Sequence, residues 1–185
     1  KGPASSLYGL NAFDGILNII TKSPEEMKGT TLQVGGGTFG TITSSAIQAG
    51  TIDKFGYRLS IGHNQNAAWN SSNSLAFRDS LVNVLTEYAL PGGSRVRLFS
   101  GLVDSNRFEG PLTQDTVVSS KPSQGYVHVV YERPNFYIRG FWNRFDLSSV
   151  QTFNPLLGPF QTLTNRDGVQ DAFFGADTYN LEAQH

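Results

Sequence analysis

The amino-acid sequence predicts an all-β protein, an antiparallel up-and-down sheet of about eight strands that forms part of a larger transmembrane β-barrel. Apolar and polar residues alternate along several segments, and short connections alternate with long ones between these segments. The segments are about 10–14 residues long, which suits a tilted crossing of a lipid bilayer. Strands of soluble β-sandwiches more often have about 5–6 residues.

Candidate strands are recognised by their β-branched and aromatic residues and by the turn residues that flank them. They cover residues 29–37, 40–51, 55–66, 77–90, 94–105, 123–133, 135–149 and 169–183. Alternation is clearest in four of them, whose apolar residues are Tyr57, Leu59, Ile61, Val96, Leu98, Leu102, Val127, Val129, Tyr131, Phe136, Ile138 and Trp142. Arg58, Arg97 and Arg139 fall between these residues and therefore on the opposite face. Because arginine is costly toward lipid, this opposite face is predicted to line a water-filled or plugged interior.

The connections between the strands predict a sheet with two different ends. Tight turns are expected at 53–56, 91–94 and 132–135, and longer loops at 67–76, 106–122 and 150–168; the first hairpin, around Thr38-Phe39-Gly40, is also brief. Outer-membrane barrels have the same asymmetry, with short periplasmic turns and long extracellular loops. Tyr57, Tyr88 and Phe136 lie near the tight turns, where an aromatic belt would meet the membrane surface.

Composition excludes several other functions. The formal net charge of −1 gives no electrostatic reason to expect a nucleic-acid partner. The chain has no cysteine, so disulfides, thiolate zinc sites and cysteine nucleophiles are excluded within it. Its three histidines are far apart in sequence, and no pair of carboxylates is placed for acid–base chemistry. We therefore expect neither an enzyme nor a cofactor.

Two local patterns suggest ligand sites without supporting context. Residues 35–40 satisfy G-x-G-x-x-G after a strand, but the following Thr-Ile-Thr-Ser-Ser is a poor helix start, so a tight hairpin is favoured over a dinucleotide site. Asn165, Asp167, Gly168 and Asp171 partly resemble a calcium loop without its closing glutamate, and Asp-Gly is first of all a turn signal.

Residues 1–27 differ from the rest of the chain, residues 28–185. A short helical turn is expected at residues 2–9 and a β-branched strand at residues 15–22. One turn and one strand cannot form a core, so we expect this piece to belong to a larger domain. The chain also begins without methionine or a signal peptide and stops within a predicted strand, which suggests an excerpt of a longer protein.

The first 22 residues read KGPASSLYGLNAFDGILNIITK. This stretch closely resembles the end of the plug domain in TonB-dependent outer-membrane receptors, whose usual pattern is R-G-P-x-S-x-x-Y-G-x-x-A-x-x-G-x-I-N-I-I-T-K. Lys1 stands where arginine is usual, and Leu17 replaces the common isoleucine or valine. The matching residues are Gly2, Pro3, Ser5, Tyr8, Gly9, Ala12, Gly15, Asn18, Ile19, Ile20, Thr21 and Lys22. The Gly37–Gly40 hairpin and the start of the strand at Phe55 also resemble this family.

The resemblance implies a plugged barrel of about 22 strands in the bacterial outer membrane. Residues 1–27 would be the end of the plug, and residues 28–185 the first part of the barrel. Such a receptor binds a scarce nutrient complex, such as a ferric siderophore, cobalamin, haem or a glycan. It then imports the ligand with energy from the TonB complex. Its partners would be this ligand, outer-membrane lipid and the TonB complex, which the family contacts through a segment not included here. Two alternatives remain: a soluble β-sandwich binding module and a passive porin.

Exposed aromatic and polar residues in the predicted long loops are the candidate ligand-binding residues. They are Trp69 and Asn70 in the second loop, Arg107, Phe108 and Gln114 in the third, and Phe153, Phe160 and Arg166 in the fourth. Ordinary packing within the loops is an equally good explanation for each of them.

An eight-strand excerpt would expose unpaired strand edges and an apolar face to water. We therefore expect residues 1–185 alone not to form a stable soluble monomer. Analytical ultracentrifugation in detergent-free buffer checks this, and a monodisperse monomer that melts cooperatively would contradict it.

Overall fold

The computed structural model describes residues 22–67, 76–113, 116–153 and 169–185. At residues 110–113, 116–118, 151–153 and 169–171 it describes the backbone and not the side chains. The predicted helical turn at residues 2–9 and most of the predicted strand at residues 15–22 lie outside the described residues.

The described residues form one antiparallel sheet of eight strands, each paired with the next along the chain. The strands are β1 (Gly29–Gly36), β2 (Ile42–Ile52), β3 (Phe55–Asn66), β4 (Phe77–Ala89), β5 (Arg95–Thr113), β6 (Thr116–Arg133), β7 (Phe136–Phe153) and β8 (Val169–Gln184). The predicted all-β, up-and-down sheet is confirmed. No helix in the described part of the chain is long and apolar enough to cross a membrane.

The predicted connections at the tight-turn end of the sheet are confirmed. Asp53 and Asn135 adopt positive φ angles of 50° and 65° in two of these turns, a conformation that the short polar side chains of Asp and Asn tolerate. A single 3-10 turn, Pro91–Gly93, joins β4 to β5. At the opposite end, residues 37–41 join β1 to β2. The G-x-G-x-x-G stretch is therefore the end of a strand and a hairpin that leads into β2, and the helix required of a dinucleotide site is not there.

The predicted long loop at 106–122 is wrong, because β5 and β6 continue through it and only residues 114 and 115 separate them. The predicted loop from residue 150 also begins later, because β7 continues to Phe153. The two prolines at 111 and 122 and the run of polar residues from Asp104 made this part of the sequence look like a loop.

A local irregularity explains how the two strands continue through a proline. Asp104 pairs with Ser123 and Phe108 with Ser120, so three residues of β5 lie opposite two residues of β6. Pro122 is one of these two residues. A proline is tolerated at such a bulge because its missing N–H is not required by a regular ladder on that side.

The register sorts the side chains of the sheet onto two faces. We call the apolar face the one that carries Leu59, Val84, Ser100, Val127 and Trp142, which pair with one another in a single row across five strands. The polar face carries Arg58, Leu85, Phe99, His128 and Phe141, which form the neighbouring row. The same register places all the apolar residues of the four alternating segments on the apolar face, as predicted.

The burial of the side chains indicates that the sheet curves with its polar face on the inner, concave side. Every buried strand residue among the described side chains lies on the polar face, namely Ala49, Gly56, Leu85, Ser105, Ser120, Val130 and Ser149. On the apolar face Val34 is 82% exposed and Leu181 is 79% exposed. Side chains converge on the inner side of a curved sheet and diverge on its outer side, so the burial pattern gives the direction of curvature.

A tyrosine bridge holds the centre of the polar face together. Tyr126 of β6 lies across Gly101 of β5 and donates a hydrogen bond of 2.9 Å from its hydroxyl to Oδ1 of Asn83 in β4. A Cβ atom added to Gly101 would lie 2.4 Å from the Tyr126 ring and 2.2 Å from Asn83 Oδ1. Glycine is therefore required at 101 for space.

The substitution Gly101→Ala is expected to displace Tyr126 and destabilise the sheet by about 1–3 kcal/mol. Gly125→Ala is the matched control, because a Cβ there would lie 3.6 Å from Leu102, an ordinary contact. Thermal unfolding of the two variants and the parent protein under identical solution conditions checks the difference. Equal midpoints for the two variants would contradict the packing described for Tyr126.

Candidate functional site

The apolar face carries a band of apolar side chains that ends at a row of polar ones. Along β3 the band runs from Phe55 to Ile61 and is followed by His63. The row of His63 continues through Ser80, Asp104, Ser123 and Asp146 on the next four strands. The band from Phe55 to Ile61 spans six residue steps, about 20 Å along the strand, and the polar row begins at His63, eight steps or about 27 Å from Phe55. A strand tilt of about 40° would reduce these lengths to about 15 Å and 20 Å, compared with about 25 Å for the apolar band of outer-membrane barrels.

The band runs obliquely to the rows of paired residues. In β1 it comprises Leu32 and Val34, and Val34 lies in the row of His63. In β7 it runs from Phe136 to Trp142, and Trp142 lies in the row of Leu59. From β1 to β7, across six strand spacings, the band therefore shifts along the strands toward the tight-turn end. The shift is four residues at the limit marked by Val34 and Trp142, and eight residues at the limit marked by Leu32 and Phe136. This slope corresponds to a strand tilt of roughly 25–45°, comparable with the tilt of about 35–45° in transmembrane barrels.

Aromatic rings mark the limit of the band at the tight-turn end. They belong to Phe55, Tyr57, Tyr88, Tyr131 and Phe136, all on the apolar face. The ring centroids of Phe55 and Tyr57 are 6.4 Å apart, and those of Tyr131 and Phe136 are 6.5 Å apart. The predicted positions of Tyr57, Tyr88 and Phe136 beside the tight turns are thus confirmed.

A tryptophan marks the opposite limit of the band. The indole Nε1 of Trp142 donates a hydrogen bond of 2.8 Å to Oδ1 of Asp177 in β8. Arg144, two residues further along β7, pairs with Asp146 at 2.7 Å and lies 3.9 Å from Asp177. The ring therefore lies in the apolar band and its N–H points to the charged groups, as expected of an amphipathic side chain at an interface.

Ion pairs cross the polar face near the tight-turn end. Glu132 of β6 accepts from both Arg95 and Arg97 of β5, and the pair with Arg97 is 2.5 Å long. Glu182 of β8 accepts from Arg139 of β7, at 2.9 Å from Nε and 2.6 Å from Nη2. These pairs link neighbouring strands. Since their side chains are 25–50% exposed, each pair contributes modestly to stability.

An aromatic row lies beside these ion pairs on the polar face. His128 stacks on Phe99 with ring centroids 5.3 Å apart and meets Phe141 edge-on at 6.4 Å. Leu85, beside Phe99, is 4% exposed. Nε2 of His128 and Nε of Arg97 are shielded from solvent and have no hydrogen-bond partner among the described residues. The polar face thus combines apolar area with two shielded polar atoms that have no hydrogen-bond partner among the described residues.

The segment that precedes β1 packs on this polar face. Arg58 of β3 donates a hydrogen bond of 2.9 Å from Nη1 to the backbone carbonyl of Lys22. Pro24 is fully buried and lies against Gly56, the neighbour of Arg58 on the same face. Lys22 and Pro24 therefore lie against the polar side of the sheet.

Arg107 and Phe108 are the candidate ligand-binding residues whose side chains the structure describes, and they lie within β5 rather than in a loop. They occupy opposite faces of the sheet. Arg107 is paired with Glu109 on the same strand at 3.1 Å, beyond the apolar band, whereas Phe108 lies on the polar face and is 56% exposed. The structure therefore does not bring this pair together as one binding surface.

The other candidates are not tested. Phe153 is the last residue of β7, where the backbone alone is described. Trp69, Asn70, Gln114, Phe160 and Arg166 lie outside the described residues, as do Asn165, Asp167 and Gly168 of the calcium-like pattern. Sequence reasoning missed the cross-strand pairing of Glu132 and the row around His128. Glutamate and arginine at facing positions of a predicted hairpin were the available signal for the first.

The described residues contain no group of three or more His, Asp or Glu side chains that could hold a metal ion. No family model, no curated protein and no solved structure matched this chain.

Glu132→Gln is expected to destabilise the sheet by roughly 1–2 kcal/mol, because two arginines lose their shared carboxylate. Glu109→Gln is the control, since Glu109 pairs with one arginine on its own strand and links no neighbouring strands. Urea unfolding of both variants and the parent protein under identical solution conditions measures the two effects. A loss of stability for Glu109→Gln as large as that for Glu132→Gln would contradict the cross-strand role.

Proposed function

We propose that this chain belongs to a TonB-dependent outer-membrane receptor, as the end of its plug followed by its first barrel strands. The complete protein would bind a scarce nutrient complex at the cell surface and import it with energy from the TonB complex. The ligand would be a ferric siderophore, cobalamin, haem or a glycan. In this proposal residues 1–27 belong to the plug and residues 28–185 to the barrel wall of the bacterial outer membrane.

The observation that carries the proposal is the arrangement of the two faces, which is the reverse of that expected in a soluble protein. The convex face is apolar and exposed, while the concave face is polar and receives the segment before β1 through Arg58 and Gly56. A soluble protein would be expected to use such a segment to cover its apolar face, because burial of apolar area is the main driving force for folding. A barrel in lipid requires the opposite, with apolar side chains outward and polar ones inward.

The limits of the apolar band support a membrane crossing. Its aromatic rings at the tight-turn end and the hydrogen-bonded Trp142 at the other end occupy the two depths where such side chains favour a lipid–water interface. The oblique course of the band supports tilted strands. In this orientation the turns that join β2 to β3, β4 to β5 and β6 to β7 face the periplasm, and the opposite end of the sheet faces the outside.

The plug-like sequence supports a gated receptor over a passive porin. Residues 1–22 resemble the end of a plug, and Lys22 and Pro24 lie on the concave face. A porin needs a water-filled lumen, whereas a plugged receptor needs wall residues that contact the plug. The aromatic row at Phe99, His128 and Phe141 suits a contact surface better than the lining of a channel.

Nitroxide labels at single cysteines test the orientation of the wall, and the absence of native cysteine in this stretch favours the method. In native outer membranes, labels at Leu59, Val84 and Val129 are expected to collide with oxygen, which partitions into hydrocarbon. Labels at Asn83 and His128 are expected to be poorly accessible to it. A label at Asp104 is expected to collide mainly with a water-soluble nickel chelate. Equal accessibility of neighbouring residues on the two faces would refute a lipid-facing wall.

Uptake measurements test the transport part of the proposal. A strain that lacks the gene and the same strain complemented with it are compared for uptake of radiolabelled ferric siderophores, cobalamin, haem and oligosaccharides. We expect at least one compound to enter only the complemented strain and to stop entering when a protonophore collapses the proton-motive force. Uptake that survives the protonophore would favour a passive porin.

A further inference from the structure

The segment Lys22–Met27 forms a turn that its own side chains close. The carboxylate of Glu26 accepts hydrogen bonds from the backbone N–H of Ser23 at 2.7 Å and from its hydroxyl at 2.9 Å. The backbone N–H of Glu26 donates to the Ser23 hydroxyl at 3.3 Å. These bonds hold the pKa of Glu26 below its usual value. Because all of them lie within four residues, the turn does not depend on the residues before it for its shape.

Strand β3 holds this turn at three points. Arg58 donates from Nη1 to the carbonyl oxygen of Lys22 at 2.9 Å, and the same atom lies 3.9 Å from the sulfur of Met27. Pro24 fills the space that a side chain at position 56 would occupy, since a Cβ on Gly56 would lie 3.3 Å from both Cβ and Cγ of Pro24. Arg58 and Gly56 are neighbours on the polar face, so one short stretch of β3 contacts both ends of the turn and Pro24 between them.

The contacts that Arg58 and Gly56 make with the turn favour a permanent attachment of the turn to β3. Arg58 binds a backbone carbonyl, which every residue at position 22 would supply. Pro24 is fully buried, and moving it away would expose its ring and leave Gly56 uncovered. A charged donor with a backbone acceptor makes one of the stronger hydrogen bonds available in proteins.

We propose that residues 22–27 are a fixed joint between plug and barrel, so that any rearrangement of the plug during transport ends at Lys22. Arg58 is the positioning residue of this joint. The inference rests on the proposed function, because it concerns how far a moving plug extends. It predicts that the residues before Lys22 change their contacts during transport while the turn keeps its contacts with β3.

A disulfide between positions 24 and 56 tests the joint. The Cβ separation of 3.3 Å is slightly below the usual range of about 3.5–4.5 Å for disulfides. The double variant Pro24→Cys/Gly56→Cys of the complete protein is oxidised in native membranes, and bond formation is followed by the shift of a tryptic fragment under non-reducing conditions. We expect efficient bond formation and uptake within twofold of the reduced form. Oxidation that abolishes uptake, with recovery after reduction, would overturn the fixed joint.

A second measurement does not depend on transport. Arg58→Ala is expected to raise amide hydrogen exchange of residues 22–28 about tenfold, because a hydrogen bond from a charged donor is lost. Arg58→Lys is expected to rescue part of the protection. Ser60→Ala, two residues further along the same face of β3, is the control and is expected to leave exchange of these residues unchanged.

The two experiments separate the possible failures. If the parent protein shows no energy-dependent uptake of any compound tested, the proposed function fails, and the joint is then judged by bond formation and hydrogen exchange. Absence of the disulfide together with unchanged exchange in Arg58→Ala would overturn the joint, whatever the outcome of the uptake assays.

Discussion

The backbone register of the eight strands is the constraint on which the rest of the structure depends. Each strand pairs with the next over most of its length, and side chains alternate faces with a period of two residues. A shift of one residue between β5 and β6 would move Arg97 to the apolar face and Leu98 to the polar one. The band of apolar residues, the ion pairs of Glu132 and the row around His128 all require the observed pairing. In the proposed membrane setting the same ladder would also satisfy backbone groups that lipid cannot.

Each face has its own means of holding this register. On the polar face Tyr126 reaches over Gly101 to Asn83, which makes three strands one packing unit. On the apolar face Tyr57 lies similarly over Gly50, where a Cβ would be 2.9 Å from the hydroxyl oxygen. A large ring covering a glycine on a neighbouring strand fits in one register only. Packing of this kind therefore specifies the pairing as well as stabilising it.

Local alternation was sufficient to predict the antiparallel sheet, because strands such as 55–66 and 77–89 carry their pattern in their own residues. The end of β5 was mispredicted since Asp104, Asn106 and Arg107 have the composition of a loop, while the strand is held by pairing with distant residues, Ser123 of β6 for Asp104 and Arg78 of β4 for Arg107. The candidate site shows the same limit. Loop residues could be proposed by type, whereas the contacts of Arg58 with Lys22 and of Glu132 with two arginines depend on pairing that becomes visible when the strands are aligned.

The length of β5 and β6 has a consequence for how this surface can evolve. Both strands continue well past the polar limit of the apolar band, from Asp104 to Thr113 and from Ser123 back to Thr116, before they meet at residues 114 and 115. The seven residue steps of β6, at about 3.4 Å each, extend the sheet roughly 24 Å along the strand direction, and β5 covers the same length with two extra residues. A loop of that size would accept insertions of any length, but a paired hairpin accepts them freely only at its tip or in steps of two. Variation in this hairpin should therefore occur by substitution at alternate positions and by insertion or deletion of two residues at a time. The bulge opposite Pro122, which adds a single residue to β5, is an exception to this rule.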